Sequence, residues 1–107
     1  MEPLTPAVFH ILLALSSGER HGYAIMREVA AESGGAVKMG PGTLYGTLKR
    51  MLDAGLVEES GERRDPAMNE ARRRYYRITS PGRHAAAAEA KRLDTLVRSA
   101  RGKGVLA

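Results

Sequence analysis

Three apolar stripes at helical spacing are followed by two short alternating runs and then by a fourth, alanine-rich stripe. Thr5-Pro6 pairs a capping side chain with proline at the first helical position. Phe9, Ile11, Leu12, Leu13 and Leu15 then make a first helix apolar on most sides, which predicts a central place in the core or against a partner subunit. Ser16-Ser17-Gly18 ends it. A second helix starts near Gly22, with Ile25, Met26 and Val29 on one face and Ser33-Gly34-Gly35 as its stop. Ala36 to Met39 is too short for a helix and reads as a brief strand. Gly40-Pro41-Gly42 opens a third helix that Gly55 closes. Leu44, Leu48, Met51 and Leu52 form its single apolar stripe, opposite Gly46, Lys49, Arg50 and Asp53.

The alternating runs predict a hairpin. Leu56 to Glu59 reads as one strand and Arg72 to Thr79 as its return, with Tyr76 and Ile78 on one face and Tyr75 and Arg77 on the other. Residues 60–71 between them form a polar, turn-rich tip. Ser80-Pro81 starts a last helix running to about Arg101. The fold class is therefore mainly α with a small β-hairpin. A winged helix-turn-helix is expected over residues 1–79, followed over residues 80–107 by a helix and tail that the favoured reading below assigns to dimerisation.

Charge sharpens this picture. Residues 1–61 carry five Lys/Arg against seven Asp/Glu, whereas residues 62–107 carry twelve against five. So basic a second half points to a polyanion, nucleic acid before a membrane surface. With 43% hydrophobic and 27% charged residues the chain falls among folded globular proteins. Its 107 residues suit one domain, whose modest core favours completion by a partner subunit. The absence of cysteine excludes disulfides, thiolate zinc sites and cysteine nucleophiles. No apolar run reaches the roughly 18 residues of a membrane span, and the Met1-Glu2-Pro3-Leu4 start lacks the basic residues of a secretory signal, so a cytoplasmic protein is expected.

A reading helix must be apolar inside and polar outside near its N-terminus to enter the major groove. The third helix satisfies this. Gly42 and Gly46 keep its outer face thin, Thr43, Tyr45 and Thr47 offer hydroxyls and methyls to bases or phosphates, and Lys49 and Arg50 suit phosphates. Arg63, Arg64, Arg72, Arg73 and Arg74 surround the tip of the wing, although three adjacent arginines on one strand cannot all face the same way. Tyr23, at the start of the second helix, serves equally as a phosphate contact or a structural residue. On the last helix Leu93, Leu96 and Val97 continue a stripe through Ala86, Glu89 and Ala90. A second copy covers that stripe in the favoured reading, with Phe9 joining the interface; folding back onto its own domain is the alternative. An effector pocket is read along Phe9, Leu93, Leu96 and Val97.

Other chemistry finds no support. His10, His21 and His84 lack metal-ligand spacing, Ser17-Gly18-Glu19 is no nucleophile–base pair, and Gly40-Pro41-Gly42-Thr43 lacks the lysine of a phosphate loop. No cofactor, metal or enzymatic activity is expected. The rival to DNA binding is a winged-helix protein-interaction module whose basic wing only aids solubility.

The segment Pro41 to Met51, then Gly55-Leu56-Val57, then Arg74 to Thr79 with Gly82, resembles the PadR family of bacterial regulators. His21-Gly22-Tyr23 with Ile25 matches the same family. The resemblance spans roughly residues 5–100 and is to the compact subgroup with a single C-terminal helix. It implies a winged helix whose C-terminal helix makes a homodimer and repression at a two-fold symmetric operator in double-stranded DNA; a small-molecule effector that biases the spacing of the two reading heads is a separate expectation.

Overall fold

The computed structural model describes residues 3–64 and 72–107. Of the tip expected over residues 60–71, residues 60–64 belong to a strand that continues from Val57, and residues 65–71, like Met1 and Glu2, lie outside the described residues.

Thr5 accepts the Val8 amide at 3.3 Å and Pro6 occupies the first turn, so helix α1 (Pro6–Ser16) begins where the capping chemistry places it. Ile11, Leu12, Ala14 and Leu15 are buried on it. Two extended residues, β1 (Arg20–His21), lead into helix α2 (Gly22–Glu32), whose N-terminal amide at Ala24 donates to His21 Nδ1 at 3.1 Å. Helix α3 (Pro41–Asp53) follows, then strands β2 (Val57–Arg64) and β3 (Arg72–Ile78), and helix α4 (Ser80–Gly102). One core joins Ile11, Leu12 and Leu15 of α1 to Ile25 and Val29 of α2, Leu44, Leu48 and Met51 of α3, and Val57 and Tyr76 of the sheet.

Two expectations fail. The sheet has three antiparallel strands in the order β1-β3-β2, because Arg20 and His21 pair with Tyr76 and Tyr75 along the free edge of β3. A two-residue strand carries no alternation to reveal it. Conversely, Ala36 to Met39 forms no strand. Ser33 accepts the Val37 amide at 2.9 Å, which folds this segment over the end of α2, while Val37 and Met39 pack on the core.

The joint between sheet and α4 is tight. Thr79 caps α4 by accepting the Gly82 amide at 3.1 Å, while its hydroxyl donates to the Gly55 carbonyl at 2.6 Å and its amide to Leu56 at 3.1 Å. Gly82 is buried, and a methyl there would overlap the Leu56 carbonyl oxygen and lie 2.9 Å from Ile78 Cγ1. The turn after α3 and the start of α4 are thus locked together. Beyond the joint α4 runs clear of the domain: every residue from Asp94 to Ser99 is exposed, and the molecule extends 51 Å in its longest direction. No helix among the described residues is long and apolar enough to cross a membrane.

Candidate nucleic-acid interface

Helix α3 buries its apolar stripe and exposes most of the opposite face. Pro41, Gly42, Thr43, Tyr45, Lys49 and Arg50 are exposed and Gly46 is half-buried, while Leu44, Leu48 and Met51 are sealed in the core. Gly40 caps the helix without a side-chain hydrogen bond. The first-turn amides therefore remain open to an incoming acceptor. Neither Gly42 nor Gly46 has a positive φ, and a methyl at Gly42 would meet nothing within 4 Å, at Gly46 only Arg50 Nη1 at 3.9 Å. The fold itself does not require these two glycines.

Thr47 is a correction. It is 2% exposed, and its hydroxyl donates to the Thr43 carbonyl at 2.7 Å and accepts from Arg50 Nη2 at 3.3 Å. Standing three residues after Leu44 and four before Met51, it lies on the buried stripe and holds the Arg50 guanidinium. Tyr45 is half-exposed, and its ring lies against Gly22, where any side chain would collide with the phenol. Gly22 thus seats the Tyr45 ring between α2 and α3. Tyr23 is 43% exposed, with Arg27 6.0 Å from its ring centroid.

A bulge divides the wing arginines. Glu59 pairs with Tyr76 but Gly61 with Tyr75, so Ser60 is the extra residue, and Gly61 takes a φ of +125°. Beyond the bulge the pairs are Glu62 with Arg74, Arg63 with Arg73 and Arg64 with Arg72. Alternation then puts Arg64, Arg72 and Arg74 on the face of Tyr76, and Arg63 and Arg73 on the face of Tyr75. Of the first set, Arg72 and Arg74 meet α3: with Tyr45, Glu62 and Tyr76 they line a cavity of about 310 Å³ between that helix and the hairpin. Burial, and next the Glu59 charge, push the Tyr76 phenol up, so it forms a neutral wall.

Two acidic neighbours went unnoticed in the sequence. Arg72 pairs with Glu62 at 3.5 Å and Arg74 with Glu59 at 3.6 Å, both pairs solvent-exposed. Exposed pairs of this kind contribute about 0–1 kcal/mol, so exchanging them for phosphate costs little. The signal was available, since the acidic residues of one strand face the arginines of the next.

Only the distal part of the stripe on α4 is bare in the single chain; its proximal part, with Ala86 and Glu89, folds back on its own domain. Leu96 is 53% and Val97 38% exposed, Ala90 is exposed, and Phe9, Ala86 and Leu93 are half-buried. A cavity of about 450 Å³ is lined by Leu4, Pro6, Phe9, His10, Glu89, Arg92 and Leu93; of the residues expected along an effector pocket, Phe9 and Leu93 line it and Leu96 and Val97 do not. Its wall is not wholly apolar. Glu89, 6% exposed, accepts from Arg92 at 2.5 Å and 3.1 Å and from the Leu4 amide at 3.2 Å.

The family model of the transcriptional regulator PadR-like family matches residues 11–88. No curated protein matches the sequence. Among solved structures, a transcriptional regulator from Clostridium thermocellum is similar with 23% identity and a TM-score of 0.71, over 94% of this chain and 90% of that one. A PadR family transcription regulator from Clostridium difficile is similar with 19% identity and a TM-score of 0.73, over 92% and 97%. Bacillus subtilis PadR, crystallised in complex with operator DNA, is similar with 23% identity and a TM-score of 0.63, over 81% of this chain and 46% of that one.

Proposed function

We propose that this chain, which belongs to the PadR-like family of transcriptional regulators, binds operator DNA sequence-specifically as a homodimer and represses transcription. The observation that carries the reading is the shared front of α3 and the wing. Two glycines without a structural task thin the helix face, and Tyr45 closes onto Arg72 and Arg74 across one cavity.

In this reading α3 enters the major groove. Gly42 and Gly46 allow backbone approach, and Thr43 and Tyr45 meet base edges. The open amides at the start of α3, together with Lys49, Arg50 and Tyr23, hold phosphates. Arg64, Arg72 and Arg74 reach the flanking backbone or minor groove. Residues 1–79 read and residues 80–107 pair, the exposed stripe of Leu96 and Val97 packing against its copy. The two α3 helices then lie about 34–36 Å apart, one helical turn of DNA. Repression in the cytoplasm follows from occupancy of an inverted repeat. An apolar effector entering beside Phe9 and Leu93 releases it by favouring a different spacing of the heads.

A salt titration of duplex binding tests the reading. Each neutralised phosphate contributes about 0.9 to the slope of log affinity against log salt, so Lys49→Ala weakens binding to every duplex and lowers the slope by about 0.9. An unchanged slope removes Lys49 from the interface. Absence of duplex binding by the unaltered protein at low salt overturns the proposal and leaves the protein-interaction module in its place.

A further inference from the structure

The back of the wing carries a connection that DNA contact does not explain. Arg63 lies on the face turned away from Tyr45, because the bulge at Ser60 reverses the side-chain direction of everything after it in β2. Its guanidinium sits 3.7 Å from the centroid of the Tyr75 ring on β3 and forms an ion pair with Glu19, 44 residues earlier in the chain. It also donates to the Ser60 carbonyl at 3.5 Å, which ties it to the bulge itself. Tyr75 in turn meets the buried His21 ring edge-on at 5.3 Å, on the strand that follows Glu19. The Ser60 hydroxyl first, against the opposing push of burial, and then Arg63 hold the Glu19 carboxyl below the usual range. Glu19 is therefore charged at neutral pH.

We propose that Arg63 is a positioning residue. Through Tyr75 and Glu19 it latches the far strand of the wing to the turn after α1, fixing the angle at which Arg64, Arg72 and Arg74 meet DNA beside α3. This rests on the DNA-binding reading above. The sheet order makes the span intelligible: β1 and β2 flank β3, so a bond from Glu19 to Arg63 over Tyr75 crosses all three strands. A guanidinium suits the task because its plane stacks on an aromatic face while its edge donates to a carboxylate. A second consequence follows at the register, where Arg63 stands directly opposite Arg73. Glu19 offsets the repulsion between these like charges, which would otherwise loosen the hairpin where it leaves the body.

The test uses the full chain with Arg63→Ala, Glu19→Gln and the two combined. Amide hydrogen exchange over β2 and β3 is measured without DNA, and duplex affinity is measured across a salt series. The latch predicts faster exchange in the hairpin for both single variants. It predicts duplex binding weakened roughly two- to tenfold by either, the range of an exposed ion pair joined to a cation–π contact. The combined variant is little worse than Arg63→Ala, and the salt slopes stay unchanged. Glu19→Gln discriminates most sharply, since it removes a negative charge and ordinary electrostatics predicts tighter binding to a polyanion. Tighter binding by Glu19→Gln, with a slope lowered by about 0.9 in Arg63→Ala, would make Arg63 a phosphate contact and overturn the latch. Unchanged hairpin exchange in both variants overturns it as well. If the unaltered chain binds no duplex, the DNA reading fails, and exchange alone decides the latch.

Discussion

Gly46→Ala separates what the fold needs from what the partner needs. Gly46 stands in the middle of α3 with an ordinary helical φ, and its added methyl would meet only Arg50 Nη1 at 3.9 Å. Alanine restricts the unfolded chain and suits a helix interior better than glycine by roughly 0.5–1 kcal/mol, with no steric penalty to set against it here. For a domain of this size that gain corresponds to a rise in Tm of roughly 2–6 °C. On DNA the sign reverses. A methyl forced into a close contact between helix backbone and groove costs about 1–3 kcal/mol, as overpacking does in a core, so affinity falls roughly fivefold to a hundredfold. Thermal unfolding followed by circular dichroism, at one fixed protein concentration, reads the first effect. Competition anisotropy on one duplex at one salt concentration reads the second. A variant that is stabilised and binds as tightly as before would refute the argument that the glycine serves close approach.

Gly82→Ala has the opposite character, because its methyl overlaps the Leu56 carbonyl and crowds Ile78. It costs about 2–4 kcal/mol in urea unfolding through overpacking and loss of the Thr79–Leu56 hydrogen bond, and a loss under about 0.5 kcal/mol would show that the joint yields. Leu96→Glu puts a charge on the exposed stripe of α4. It is expected to raise the dimer dissociation constant by roughly a hundredfold or more in sedimentation equilibrium while leaving helix content intact; an unshifted equilibrium would place the interface elsewhere. Glu89 provides the pH prediction. The Arg92 hydrogen bond first, against burial, and then the Leu4 amide hold its carboxyl below 4.5. Its contribution to stability is complete above the unfolded value near 4.5 and is lost as pH falls through the lower folded value. Thermal unfolding from pH 6 to pH 3 should show this loss, and Glu89→Gln should flatten it; an equally steep profile in the variant would assign the acid sensitivity to other carboxylates.

The sequence signals that survive folding are those with a strong local cause. Thr5-Pro6 marks a helix start because a hydroxyl and a fixed φ act within one turn, and α1 begins there; at α4 the capping hydroxyl is Thr79, one residue before the Ser80-Pro81 pair that the sequence suggested. The exposed face of α3 follows from the spacing of Leu44, Leu48 and Met51. What the sequence concealed was non-local. β1 exists only because β3 offers it an edge, and Arg63 reaches Glu19 only because Ser60 adds a residue to β2. The glycine at position 61 was the available warning of that bulge, and reading it as part of a loose tip hid how Arg63 and Arg64 divide between the two faces. Thr47 was misplaced for a different reason: its hydroxyl suggested a polar surface, while its spacing from Leu44 and Met51 placed it inside. The helix repeat outweighs residue type there, since the hydroxyl satisfies itself on the Thr43 carbonyl.

Selection of bound duplexes from a random DNA pool, repeated at two salt concentrations, tests the central claim most directly. The account predicts enrichment of an inverted repeat whose half-sites lie one helical turn apart, retained at the higher salt while nonspecific duplexes are lost. Retention of duplexes with no enriched motif would contradict it, leaving a basic wing that holds phosphates and an α3 that reads nothing.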